Sequence, residues 1–202
     1  MNRVYENNQV EIMGEIVANF EFSHDVYGEG FYMSEIAVAR LSEFTDYIPI
    51  LVSERLLDVK ADWRGQSLKI NGTFRSFNKH TDTGSHLVLS VFATDVEVLD
   101  VLVYTNEIFL DGYICKQPVY RKTLLGREIA DILVAVNRGY GKSDYIPCIL
   151  WGRNARFGAT FEVGTNVKFW GRIHSREYVK KISGTETEHR VAYEVSVSKV
   201  EV

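Results

Sequence analysis

The stretch Asp144–Gly152, DYIPCILWG, alternates as a β-strand does. Ile146, Cys148 and Leu150 fall on one side, and Tyr145, Pro147, Ile149 and Trp151 on the other. The first set predicts a core face. The second puts a Tyr and a Trp on an exposed face. A near-copy, DYIPIL, stands at Asp46–Leu51, 98 residues upstream. The same offset relates NQVEIMGEI, from Asn8, to NEIFLDGYI, from Asn106. It also relates Gly14 to Gly112, Gly28 to Gly126 and Ala37-Val38-Ala39-Arg40 to Ala135-Val136-Asn137-Arg138. Beyond the DYIP strands the offset becomes 99, matching INGTFRS (70–76) to FWGRIHS (169–175), and DVEV (95–98) finally matches KVEV (199–202). The chain is a tandem repeat.

Each half holds five strand-like runs, in the second half roughly 106–116, 127–138, 144–151, 166–173 and 191–200. Turns are expected at Gly126, Arg138–Ser143 and Ser183–His189. The one helix-length candidate is Glu54–Trp63. Five antiparallel strands in about 100 residues suit a small Greek-key barrel of the oligonucleotide-binding (OB) type, where an immunoglobulin-like sandwich wants about seven. The expected fold class is therefore all-β, two tandem five-stranded OB barrels, over residues 1–102 and 103–202. The join at Asp100–Asn106 has no Pro, Gly or Ser, so a short connection between packed barrels is expected.

Charge changes this picture. The net value of −4 conceals 8 Lys/Arg against 16 Asp/Glu in residues 1–102, and 15 against 11 in residues 103–202. A basic second half keeps a polyanionic partner open; the plain alternative is an unevenly charged solvated surface. No apolar run approaches the ~20 residues of a membrane helix, and no signal-peptide pattern opens the chain. Cys115 and Cys148 have no metal-ligand spacing and are read as reduced thiols of a cytosolic protein.

Catalytic and cofactor motifs fail one by one. RGYGKS (138–143) ends like a phosphate loop, but the required upstream Gly is Val136. GEGFYM (28–33) lacks the third Gly of a dinucleotide loop. His24, His80, His86, His174 and His189 have no metal spacing and are each expected in surface or turn positions. Asp46 and Asp144 open equivalent strands, where a carboxylate commonly satisfies turn amides. No enzyme site can be assembled, and neither a metal nor a cofactor is expected.

The second half resembles the bacterial single-stranded DNA-binding proteins along nearly its whole length. The pieces that carry the resemblance are NEIFLDGYI, LLGREIADILVAVNR, DYIPCILWG, VGTNVKFWGRIHSREY and VAYEVSVSKVEV. The family stacks bases on aromatic rings and neutralises phosphates with basic side chains; a stacked base is worth roughly 1–3 kcal/mol in such proteins. The resemblance places stacking rings at Tyr140, Tyr145, Trp151 and Tyr178. It implies backbone partners at Arg121, Lys122, Arg127, Arg138, Arg153, Arg172 and Arg176. Trp170, beside Lys168, alternates with inward Val167 and Phe169, so it points outward; interface and DNA contact both remain open for it, as for Tyr47.

In the first repeat Tyr145 maps to Tyr47, but Trp151 maps to Ser53, Tyr140 to Ser42 and Tyr178 to Lys79. That predicts an acidic barrel with a degenerate stacking face, unless Phe44 and Phe77 substitute. The resemblance implies single-stranded DNA as partner, a homodimer supplying four barrels, and a cytoplasmic, nucleoid-associated site of action. The family commonly carries an acidic tail, and this chain stops at Val202. Tail-mediated recruitment of repair enzymes is accordingly not expected. A primosome-like adaptor that buries its aromatics against protein is the alternative, and single-stranded RNA a third.

Overall fold

The computed structural model describes residues 6–81, 84–183 and 186–202, with side chains for all of these except 79–81, 84–86, 180–183 and 186. The first half comprises β1 (Asn8–Ile16), β2 (Glu21–Val26), β3 (Glu29–Ala39), β4 (Thr45–Ser53), β5 (Ser67–Thr81) and β6 (Gly84–Leu99). The second comprises β7 (Thr105–Ile114), β8 (Val119–Lys122), β9 (Glu128–Arg138), β10 (Lys142–Trp151), α1 (Gly152–Gly158), β11 (Asn166–Ser183) and β12 (Glu186–Glu201). Strands follow the order β2-β3-β4-β6-β5-β1-β7-β11-β12-β10-β9-β8, and pairings β1–β3 and β7–β9 close each half into a barrel. At both closures the strands approach so tightly that a Cβ on Gly14 would collide with the Ala37 carbonyl, and one on Gly112 with that of Ala135. Gly14 and Gly112, equivalent in the repeat, are thus closure points.

The halves are also one sheet. β1 pairs with β7 antiparallel, from Asn8 opposite Leu110 to Met13 opposite Thr105. Val10 lies opposite Ile108, its own equivalent at the 98-residue offset, so a pseudo-two-fold axis passes through that pair. Alternating residues fill the cores: Ile12, Ile48, Ile50, Ile70 and Phe74 in the first barrel, and Leu110, Val134, Ile146, Leu150 and Phe169 in the second, all buried.

Three local expectations need correction. Each half carries one strand more than the five read from the sequence: β2 and β8 are wholly exposed ribbons on β3 and β9, so neither shows an apolar alternation. Glu54–Trp63 is a series of turns. There Asp58 and Asp62 accept bonds from the Lys60 and Arg64 amides at 3.2 and 3.1 Å, which competes with helix formation. The helix is instead α1, directly after Trp151. Seven residues are too few to show a period, and its Gly158 packs where a Cβ would meet the Leu150 and Ile132 side chains. β11 runs to Ser183 and β12 begins at Glu186, so most of 183–189 is strand rather than turn.

Candidate nucleic-acid interface

The outer face of β10 explains Trp151. Tyr145 is exposed as its alternation predicts, but Ile149 is buried. Trp151 lies opposite Ile129 of β9, which is also buried, and two residues from Ile149 on the same face. The three make a small apolar patch outside the core, with Trp151 as its lid, 37% exposed. The indole Nε1–H donates to Ser196 Oγ at 3.0 Å, which fixes the ring in plane.

The first barrel carries a ring at the same place from a different strand. The matched chain ends (DVEV with KVEV) put Phe92 opposite Ser196 in the repeat, just as Ser53 stands for Trp151. Phe92 packs against buried Phe31 at 5.6 Å between centroids, and the Arg75 guanidinium lies 3.6 Å above it. Mapping β4 alone onto β10 misses this exchange; carrying the end offset back from residues 95–98 would have found it.

Two reciprocal grooves run along the seam between the barrels. The smaller, about 750 Å³, joins the β3–β4 end of the first barrel to β10, β11 and β12 of the second. Its walls include Arg40, Phe44, Tyr47, Arg127, Trp151, Arg172, Arg176 and Tyr193. Burial, then Glu35, pushes the Tyr193 phenol up to about 12. Burial also raises the Glu35 and Glu194 carboxyls, and Arg176, 3.8 Å from Glu194, opposes the rise there. The larger groove, about 1000 Å³, joins the β9–β10 hairpin to β1, β5 and the β2–β3 turn, and holds Tyr140, Arg138 and Lys142.

The seam is held by carboxylates. Asp144 accepts the Ser76 amide of the first barrel at 2.8 Å, and Ser76 Oγ accepts the Tyr145 amide at 2.7 Å. The mirror set is Asp46 with the Ser175 amide at 2.9 Å and Ser175 Oγ with the Tyr47 amide at 3.0 Å. The expectation that Asp46 and Asp144 satisfy local turn amides is therefore corrected: their amide partners lie across the seam. Arg40 reaches Asp46 with two nitrogens, its Nε–H at 2.7 Å; Arg138 lies 3.6 Å from Asp144.

His174 departs from its expected surface position: it is buried at this seam. Its Nε2 faces the Arg172 Nε–H at 2.8 Å, so that nitrogen is the acceptor and the ring is neutral. Burial first, then Arg40 and Arg172, push its pKa down to about 4, with Asp46 opposing. A depressed value means that this contribution to stability is present above about 6.5 and lost as pH falls through about 4. Wild type should lose on the order of 3 kcal/mol across that window from this group. His174→Gln, which keeps an acceptor for Arg172, should flatten the profile of melting temperature against pH; an unchanged profile would dismiss His174 as its source. His24 and His189 are exposed as expected, and the side chains of His80 and His86 lie outside those described.

The sequence-named residues distribute unevenly. Trp151, Arg127, Arg172, Arg176 and Tyr47 line the smaller groove, and Tyr140 and Arg138 the larger. Tyr145 is exposed outside both, and Tyr178 sits on the β11–β12 arm opposite Arg190. Arg121 is paired with Asp131 at 2.7 Å; Lys122 and Arg153 are exposed outside the grooves. Trp170 occupies the outer face of the joined sheet, 4.9 Å from Phe109, with Lys199 Nζ 4.2 Å from its ring; Lys168 lies opposite Asp111 and Glu201. Among the described residues no three His, Cys, Asp or Glu group to hold a metal. No described helix is long and apolar enough to cross a membrane.

Residues 105–202 match the model of the single-strand binding protein family. The chain is 34% identical over 80 residues to the single-stranded DNA-binding protein B of Bacillus subtilis, spanning 36% of this chain and 71% of that protein. The chain belongs to the single-strand binding protein family. A second relative, single-stranded DNA-binding protein 2 of Listeria innocua, is 34% identical over 80 residues, spanning 36% of this chain and 50% of that protein. The wild-type single-stranded DNA binding protein from Thermus aquaticus has a similar fold, with a TM-score of 0.74 at 18% identity over 96% of this chain and 91% of that one. The fold agrees with the two tandem OB barrels read from the repeat.

Proposed function

We propose that this protein binds single-stranded DNA without regard to sequence and shields it during replication, recombination or repair. The observation that carries the reading is Trp151. It is a partly exposed ring, anchored at its edge by Ser196, in a groove with Arg127, Arg172 and Arg176. A base of any identity has a π-face for such a ring, and the guanidiniums meet the phosphates beside it. Membership of the single-strand binding family supports the same ligand. The proposed function includes no catalysis, and single-stranded DNA as the ligand supports a site of action with the nucleoid in the cytoplasm.

Titration with unstructured oligo-dT tests this. Tryptophan emission should quench to saturation, and affinity should fall with salt by counterion release, at about 0.7 logarithmic units per phosphate contacted. Absence of binding at low salt would move the reading to an adaptor whose aromatic face is covered by protein. The assembly we propose is a homodimer through the outer face of the joined sheet, where Phe109 and Trp170 form an aromatic centre. Sedimentation as a monomer at micromolar concentration would remove the dimer and leave the DNA reading standing.

A further inference from the structure

Among the described residues only two that are not glycine have positive φ: Tyr27 at 52° and Tyr140 at 60°. An L side chain in this region crowds the following carbonyl, so a bulky residue there is a backbone outlier. Both are followed by left-handed glycines, Gly28 and Gly141. Tyr27-Gly28 is the whole link between β2 and β3, a two-residue hairpin turn of the kind in which Asn-Gly is preferred. Asn or Gly would hold either turn at less cost, so turn geometry does not account for the rings.

Both rings are fully exposed, at 101% and 104%, and both line the larger groove although they come from different barrels. Between them the groove carries Arg75, Arg138 and Lys142. Its hairpin wall is tied to the first barrel by the Asn7 side-chain amide, which donates to the Asn137 carbonyl at 2.8 Å. The repeat does not produce the pair. The equivalents of Tyr27 and Tyr140 are Leu125 and Ser42, and neither has a positive φ. Strain concentrated on two solvent-facing rings around one basic groove marks a functional surface.

We infer that Tyr27 joins Tyr140, a stacking position by the family resemblance, in a two-ring site that receives bases where a single strand crosses from the second barrel to the first. This rests on the proposed single-strand binding and adds a contact from the first barrel, in a turn the repeat gives no reason to suspect. Arg138 and Lys142 would meet the phosphates of the crossing segment.

Tyr27→Asn separates fold from function, because Asn suits the left-handed turn better than Tyr. The full-length variant should keep or raise its melting temperature and lose roughly fivefold or more in affinity for labelled oligo-dT, read by anisotropy. Tyr140→Asn should behave alike, and the double variant should lose less than the product of the two single losses. Tyr27→Trp should add emission that oligo-dT quenches. Wild-type binding with Tyr27→Asn unchanged within about twofold would overturn this site alone. No binding by wild type would instead overturn the function on which it rests.

Discussion

Trp151→Ala is expected to lower affinity for oligo-dT by roughly 5- to 150-fold, the equivalent of about 1–3 kcal/mol for one stacked base. Most of the fluorescence change should vanish with it. The other tryptophans stand elsewhere: Trp63 donates its indole N–H to the Asp58 carbonyl, and Trp170 lies on the sheet face beside Phe109. Loss of signal alone would not establish loss of binding, so anisotropy of a labelled strand must fall in parallel. The substitution also uncovers Ile129 and Ile149, and a modest drop in melting temperature should accompany it. Trp151→Phe separates the two effects. It retains a ring over that patch but cannot reach Ser196, so it should bind within a fewfold of wild type. Equal affinity of Trp151→Ala and wild type would remove the ring from the mechanism and shift the weight to the arginines of the smaller groove.

Features with a sequence period were legible. The alternation in DYIPCILWG located β10, and the 98-residue offset revealed two barrels, because both patterns follow from residues buried against a local core. Features defined by contact across the repeat were not. Asp46 and Asp144 were visible as equivalent strand openers, yet nothing local indicates that their amide partners are Ser175 and Ser76, about 130 and 70 residues away. His174 is buried at the seam, beside Arg40 and Asp46 of the other barrel. Phe92 replaces Trp151 from a different strand, so strand-by-strand comparison counted a ring as lost that the fold had moved. Tyr27 has no helical or strand period to betray it; its signal is a backbone angle.

Asp46→Ala should be among the most destabilising single changes in the molecule. The carboxylate is fully buried and receives the Arg40 fork as well as the Ser175 amide. Removing it strands a mostly buried guanidinium and an interior N–H together, which costs about 3–5 kcal/mol. For a chain of this length that corresponds to a fall of roughly 10 °C in melting temperature. The loss should fall on the seam, since the Ser175 amide belongs to the other barrel, and unfolding should broaden or divide into two steps. The mirror position should behave differently. Burial raises the Asp144 carboxyl, with the Ser76 amide, Arg138 and Arg75 pulling it back. A raised folded value means that the protonated form stabilises at low pH and that this contribution is lost as pH rises through it. At neutral pH Asp144→Asn therefore removes the cost of a buried ion while keeping an acceptor for Ser76, and should hold stability near wild type. Equal, small effects of Asp46→Ala and Asp144→Asn would mean that these carboxylates add little to the pairing of β1 with β7 and the other bonds that join the barrels. A large loss at Asp46 alone would identify the Arg40–Asp46 pair as the stronger clamp on a seam that the repeat makes look symmetric.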